Sequence, residues 1–519
     1  MKRYWFLAAF GFAVLAFAAV WMGSLNQDEG WYLYAARLVS EGKTPYRDFF
    51  YTQAPVMPIL YSAFAFVWDA HGLLGARILT MLVGAAGIAF FCALAARLAV
   101  PGRRGLSALV AFLLLGSNLY HLYYVAIPKT YALASLFVAV GFFLLSFARD
   151  GGWKGALFAA ASGVSLAFAS GTRISLGVLL AVVGFGLLLS FRSWRWTFLW
   201  FGIGGALALC VVYGPFLLDA DARSGLLAAQ MYHASRGGFD PVFTVGSLSR
   251  LVRWYAPLFV VLGMGVAFMV RGRRFGASAV GEGLPLVAKL AAAGFLAVFA
   301  VQMLAPFPYE DYQVPVMGLL AVFAALAFSG DAALPDRGLK PLLVLGLAWA
   351  CAFGSPLLEK WTTNGQDRFW TLKKKMFELE QLRDAALTIE AADPGGDTLL
   401  TQDLYLAVET GRRVPEGLEM GPFSQLSDEE WQELLLSAPC PVAALSGYSF
   451  AIVAPECKER PFEDQMVFWS ILGGKYSRAE VVDAFGQGAT TLFILRRRPA
   501  KGAGAGDGAD GNSGKGGGE

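Results

Sequence analysis

Long apolar blocks alternate with short polar connections through the first 356 residues, at roughly 5–23, 76–99, 105–120, 131–148, 155–171, 174–191, 197–214, 253–270, 285–305, 312–329 and 340–356. A helix of about 17–25 apolar residues crosses a bilayer, so these blocks predict about eleven transmembrane helices; a further block at 54–68, dipping into the membrane, shifts that count by about one or two. Between the first two blocks lies the stretch NQDEGWYLYAARLVSEGKTPYRDFFYTQAPVMPILY, Asn26 to Tyr61, rich in polar and aromatic groups. Asp28 and Glu29 open it. Trp31, Tyr34, Ala35 and Leu38 follow at i, i+3, i+4 and i+7, which predicts a helix with one apolar face suited to a membrane interface. Gly42 closes that helix, an aromatic run from Tyr46 to Tyr51 follows, and Pro55 and Pro58 lead into the apolar segment ending near Val67.

After Pro356 the pattern turns charged and mixed. Phe369, Leu372, Met376, Leu379 and Leu382 predict an amphipathic helix over 366–392. Short β-like runs follow at Thr398–Thr401, Val442–Leu445, Phe450–Val453 and Thr490–Leu495, and Ser427 reads as the N-cap of a helix. Lys501 to Glu519 is Gly-rich with scattered charge and cannot bury a core, so it is expected to be disordered. The expected architecture is an all-α polytopic membrane domain over residues 1–356, with a first outer loop at 24–75. A small α/β domain at 357–500 and the tail at 501–519 complete it.

Composition agrees with the pattern. The chain has 519 residues, of which 56% are hydrophobic and 16% charged, with a mean hydropathy of +0.52, too apolar for a soluble protein of this size. A net charge of +3, with no exposed basic run interleaved with aromatics, excludes a nucleic-acid partner. Lys2 and Arg3 precede the first block, which lacks a small-residue cleavage site and is expected to stay as an uncleaved helix. With the N-terminus cytoplasmic, the inner connections carry Arg103, Arg104, Arg149, Lys154, Arg192, Arg195, Arg271, Arg273, Arg274, Arg337 and Lys340, while the short outer ones carry little beyond Lys129 and Arg173. The positive-inside rule then puts the first loop, the 215–252 loop, the 306–311 turn and the C-terminal domain on the extracytoplasmic face. Ala, Gly and Arg usage points to a bacterial inner membrane. Cys92, Cys210, Cys351, Cys440 and Cys457 have no metal-ligand spacing; Cys440 and Cys457 lie in the outer domain, where a disulfide between them is open.

The order of one membrane helix, an outer loop opening on an Asp-Glu pair, the YLYAARLVSEG helix, TQAPVMPILYS and GARILTMLVGAAG resembles the GT-C superfamily of polyprenyl-phosphate-sugar-dependent glycosyltransferases. The branches most similar in appearance are the protein mannosyltransferase, aminoarabinose transferase and lipopolysaccharide galacturonosyltransferase groups. The likeness is specific over residues 1–100 and is one of topology and layout beyond. It implies transfer of a hexosyl or pentosyl unit from a polyprenyl-phosphate donor to a glycan, lipid or protein acceptor on the outer face, with Asp28 matching the catalytic acid.

The chemistry of the residues is compatible with that implication. A lipid phosphate already leaves well, so the protein needs a carboxylate to deprotonate or orient an acceptor hydroxyl and cations to hold the phosphate. Asp28 and Glu29 are the catalytic candidates; helix capping and a dipole-favoured first turn are their structural alternative. Tyr51 and Gln53 sit in the same loop, where an interfacial Tyr is commonly an anchor. Lys129, in IPKTYAL, and Arg173 are the outer-face cations suited to a phosphate, with snorkelling the alternative for Arg173. Several branches of the superfamily carry an acid about where Lys129 stands, so this chain departs from a two-carboxylate or metal-site pattern, and a divalent cation stays open. His233 and Arg236 offer a titratable group and a guanidinium in the 215–252 loop. Glu310, Asp311 and Tyr312, in PFPYEDYQVP, are a further acceptor- or cation-binding cluster.

No Walker loop, HExxH or GxSxG is present. A transporter or flippase is the rival class; it predicts internal repeats and mid-membrane charges, whereas here the charges gather at helix ends. A non-catalytic scaffold is the second rival, and would tolerate loss of Asp28.

Overall fold

In a computed structural model of the chain, every apolar block read from the sequence is helical. The structure describes residues 2–148, 152–235, 237–274, 286–330, 338–362, 376–424, 426–447, 452–453, 458–459, 470–487 and 489–499. Among these, six helices are long and apolar enough to cross a membrane: Lys2–Trp21, Ala65–Leu98, Gly152–Thr172, Trp194–Leu218, Leu286–Met303 and Glu310–Ser329. Three sharply bent pairs, Arg104–Gly116 with Leu119–Ala126, Pro241–Trp254 with Ala256–Ala267, and Leu339–Phe353 with Pro356–Thr362, raise the number to as many as nine. The blocks at 131–148 and 174–191 form Thr130–Leu145 and Ile174–Leu189, which are shorter apolar helices. The chain is an integral membrane protein with six to nine spans by length and composition, fewer than the blocks alone suggest.

The bend between Arg104–Gly116 and Leu119–Ala126 is set locally. Asn118 ends one helix and caps the next, its Oδ1 accepting from the His121 N–H at 2.9 Å. Its Nδ2 donates to the Trp254 carbonyl at 3.0 Å, tying two bent pairs together at their corners.

The first-loop helix, Gln27–Ser40, is capped by Asn26. The Asn26 side chain accepts from the Asp28 N–H, and Glu29 accepts from the Asn26 N–H, so two of the orphan donors at the helix start are satisfied reciprocally. Gly42 ends it in the left-handed region, φ +90°. The expected interfacial placement is corrected by the structure. Trp31 through Leu38 are all buried, because the C-terminal region covers the face that the pattern left polar. Helix Leu404–Thr410 packs on it so closely that a Cβ on Gly30 would lie 2.2 Å from the Tyr405 backbone nitrogen. Only glycine allows that approach.

The predicted 54–68 block is a short helix, Val56–Ser62, leading into Ala65–Leu98, which kinks at Gly72 (φ 59°). In the C-terminal region the described helix begins at Glu378 and runs to Ala392; residues 363–375, the start of the predicted one, lie outside the described residues. Ser427 caps Asp428–Ser437 as expected, through a reciprocal box with Glu430. An antiparallel sheet has the order Val442–Ser446, Thr490–Arg497, Tyr476–Phe485. The 476–485 strand has no clean alternation of buried and exposed residues, so its sequence carried no signal. Thr398–Thr401 forms isolated bridges from Thr398 to Arg413 and from Leu400 to Ala443 rather than a strand. The predicted 450–453 run appears as the pair Ile452–Val453 with Lys458–Glu459. Cys457 and the 501–519 tail lie outside the described residues.

Candidate active site

The start of the first-loop helix, the turn between Ala126 and Thr130, the connection after Gly152–Thr172 and the turn before Val314–Gly330 converge on one cavity of about 460 Å³. Phe423 and Gln487 of the C-terminal region complete its wall. Its charged lining residues are Asp28, Lys129, Arg173 and Asp311, two acids and two bases from four distant parts of the chain.

Lys129 sits at their centre. Extended backbone at Ile127 and Lys129 separates two helices and aims the Lys129 side chain inward, leaving it only 7% exposed. Its Nζ is ion-paired with Asp28 Oδ2 at 2.7 Å and donates a hydrogen bond to Asp311 Oδ2 at 3.1 Å. Burial alone would lower its affinity for a proton, but the charge of Asp28, with Tyr131 and Asp311, outweighs it and holds the ammonium well above the usual lysine range. The other oxygen of Asp28 accepts from Trp31 Nε1 at 3.2 Å, and the Asp311 oxygen that meets Lys129 also accepts from the Tyr131 hydroxyl at 2.7 Å. Asp311 lies in the 3-10 turn Glu310–Gln313, at the helix start whose dipole favours an anion.

Arg173 lies between two aromatic rings, 4.7 Å from the centroid of Tyr131 and 4.9 Å from that of Tyr312, and its Nη1 donates to Thr130 Oγ1 at 3.1 Å. Its Nε is buried with no hydrogen-bond partner. A guanidinium held between two rings at the cavity wall, anchored through one Nη1 hydrogen bond, is placed to meet an incoming oxyanion. Burial pushes the Tyr32 phenol up and Asp28 adds to the effect, so Tyr32 presents a protonated hydroxyl at the cavity wall.

Thus Asp28, Gln53, Lys129, Arg173, Asp311 and Tyr312 meet in one cavity. Glu29 does not. It is fully buried, with both oxygens on Arg77 at 2.6 and 2.7 Å, and the other N–H groups of Arg77 bind the Val20, Gly23 and Ser24 carbonyls at the end of the first helix. Consecutive helix positions point in different directions, so the Asp-Glu pair divides between site and scaffold. Tyr51 is fully buried behind the wall against Trp31 and Tyr32. Glu310 turns away to Arg250 at 3.1 Å. His233 is on helix Ala220–Ser235, but its side chain and all of Arg236 lie outside the described residues.

The first-loop aromatics Trp31 and Tyr32 line the cavity, and Tyr124 and Tyr131 add walls that were missed in the sequence, where an aromatic near a membrane helix end reads as an anchor. Gln487 had no signal at all. Its Oε1 accepts from the Gln27 N–H at 2.8 Å, one residue before Asp28, while Gln27 Nε2 donates to the Gln402 carbonyl at 3.0 Å. Glu378 accepts from the Leu25 N–H at 2.7 Å and Glu409 from the Leu73 N–H at 2.7 Å. The C-terminal region thereby fixes the backbone on both sides of the site.

No known family's sequence pattern matches the chain, and no curated protein matches it in sequence. Solved structures do match. ArnT from Cupriavidus metallidurans bound to undecaprenyl phosphate aligns with a TM-score of 0.60 at 13% identity, over 95% of this chain and 98% of that one. Its apo state gives a TM-score of 0.60 at 14% identity over the same shares. The archaeal oligosaccharyltransferase AglB from Archaeoglobus fulgidus, in complex with an inhibitory peptide and a dolichol-phosphate, aligns with a TM-score of 0.50 at 10% identity, over 86% of this chain and 70% of that one. At these identities the likeness is one of fold alone: the chain is folded like ArnT over nearly its whole length.

Proposed function

We propose that this chain is a glycosyltransferase that moves a sugar from a polyprenyl-phosphate carrier to an acceptor hydroxyl or amine, with Asp28 as the base and Arg173 as the phosphate ligand. The observation that carries this reading is the shared cavity: a carboxylate and a partly unsatisfied guanidinium face the same space of about 460 Å³. Support also comes from the fold, since the ArnT structure is bound to undecaprenyl phosphate and the AglB structure to dolichol-phosphate.

In the reaction, the acceptor heteroatom forms a bond to the anomeric carbon while the bond from that carbon to the phosphate oxygen breaks. The electron pair leaves with the lipid phosphate, and the acceptor proton passes to Asp28. A single displacement inverts the anomeric centre, and its oxocarbenium character is stabilised by a nearby carboxylate, by analogy with glycoside hydrolysis. Arg173 meets the charge that grows on the leaving phosphate. Tyr32 and Tyr312 line the same cavity, where a phenol ring gives an apolar face for a sugar and its hydroxyl a polar edge.

The basic residues of alternate connections favour an extracytoplasmic site with a cytoplasmic N-terminus, and Ala, Gly and Arg usage favours a bacterial inner membrane. Residues 1–356 would then be the catalytic membrane domain and 357–500 the outer domain that closes the cavity.

The deciding experiment is sugar transfer by purified protein in nanodiscs, with a panel of polyprenyl-phosphate sugars, for wild type and Asp28→Asn. Transfer from one donor that falls by about 10²-fold or more in Asp28→Asn fits the reading. Equal activity in the variant would remove Asp28 from the mechanism, and no consumption of any lipid-linked donor by wild type would remove the function.

A further inference from the structure

The Lys129 ammonium occupies the point between the two cavity carboxylates that a divalent cation would take. A hard divalent ion binds carboxylate oxygens at about 2.0–2.6 Å, and the oxygens such an ion would use, Asp28 Oδ2 and Asp311 Oδ2, lie 2.7 and 3.1 Å from Nζ. Ammonium and ion therefore exclude one another. The same oxygen of Asp311 already accepts from the Tyr131 hydroxyl at 2.7 Å, and the second oxygen of Asp28 from Trp31 Nε1. Among the described residues no third His, Cys, Asp or Glu joins the two acids. The donor set does not fit a metal.

It does fit a monovalent organic cation. The rings of Tyr131 and Tyr124 lie 4.8 and 5.8 Å from Nζ, in reach of a cation–π attraction that a hydrated metal ion would not replace. Being tethered, the ammonium is present at unit occupancy, whatever the metal supply.

We propose that Lys129 is a resident cation standing in for a divalent metal, so that this site works without one and Asp28 is oriented by an ammonium. Lys129 is thus a positioning residue, and the phosphate falls to Arg173. The reaction named rests on the glycosyltransferase reading; the exclusion of the metal does not.

Two measurements on the purified full chain test this: Mn²⁺ uptake followed by the EPR signal of the free ion, and sugar transfer with and without a chelator. Wild type is expected to take up no Mn²⁺ at concentrations to about 1 mM, and chelation to change its transfer by less than about twofold. Lys129→Ala opens the space between the carboxylates, so it is expected to bind Mn²⁺ at least about tenfold more tightly than wild type and to recover part of its lost transfer when Mn²⁺ is added. Adding Asp311→Asn to Lys129→Ala should abolish that uptake, and Lys129→Arg should stay indifferent to metal. The proposal is overturned if wild type loses transfer to a chelator and regains it with Mg²⁺ or Mn²⁺. Mn²⁺ uptake by wild type that Asp311→Asn removes would overturn it as well, as would a folded Lys129→Ala that takes up none. The wild-type arms decide even where Lys129→Ala does not fold. If no lipid-linked donor is consumed, the function fails while the Mn²⁺ titration still decides the cation.

Discussion

Glu29 and Arg77 form a fully buried two-pronged ion pair, N···O 2.6 and 2.7 Å, one residue along the chain from the carboxylate that faces the cavity. The pair lies where the first helix ends, the first-loop helix begins and Ala65–Leu98 passes. It fixes the platform from which Asp28 projects.

Removing one member strands a buried charge, which costs about 3–5 kcal/mol. Glu29→Gln keeps an acceptor for the Asn26 N–H but leaves Arg77 unpaired. The expected result is a large drop in the thermal midpoint in nanodiscs, with kcat of the folded fraction falling far less than in Asp28→Asn. Pairing it with Arg77→Met should destabilise by less than the two single changes summed.

Arg173 depends on its planar shape. Arg173→Lys retains the charge but loses the stack between Tyr131 and Tyr312 and the fork. KM for the lipid-linked donor should rise by about tenfold or more, while binding of acceptor alone changes little. An unchanged KM would move the phosphate elsewhere in the cavity.

Gly30 is the contact point between the first-loop helix and Leu404–Thr410. Gly30→Ala drives a methyl against the Tyr405 backbone, which cannot yield as a side chain would. The variant should lose about 1–3 kcal/mol of stability, the usual cost of overpacking. Limited proteolysis should cut the C-terminal region sooner than in wild type.

Glu409 reports on the docking of that region through pH. Burial pushes its carboxyl above the ordinary 4.5. A folded-state value raised over the unfolded one means that protonation favours the folded state. This contribution is complete below 4.5 and is lost as pH rises through the raised value. Glu409→Gln keeps an acceptor for the Leu73 N–H without that titration. The thermal midpoint of wild type, measured against Glu409→Gln, should therefore fall as pH climbs from 4.5 through this window, and a constant difference would contradict it.

Much of the fold was set locally and so was legible in the sequence. Apolar blocks must be satisfied by their own backbone in a bilayer, so each became a helix. Asn26, Gly42 and Ser427 punctuate helices through contacts within a few residues. The cavity residues Asp28, Lys129, Arg173 and Asp311 were also legible as types, since each is a charge at the end of an apolar block, where burial without purpose is costly.

Only the tertiary structure decided how these charges pair. Asp28 and Glu29 are neighbours in the chain with the same chemistry, yet one lines the cavity and the other is sealed on Arg77, because helix geometry turns successive side chains apart. Glu310 and Asp311 divide in the same way between Arg250 and Lys129. The first-loop helix is core rather than interface because Leu404–Thr410, over 350 residues later, covers it. The seat of Lys129 between Asp28 and Asp311 joins positions 101 and 182 residues away. No pattern along the chain encodes such a meeting, because it follows from how the helices pack and not from any one of them.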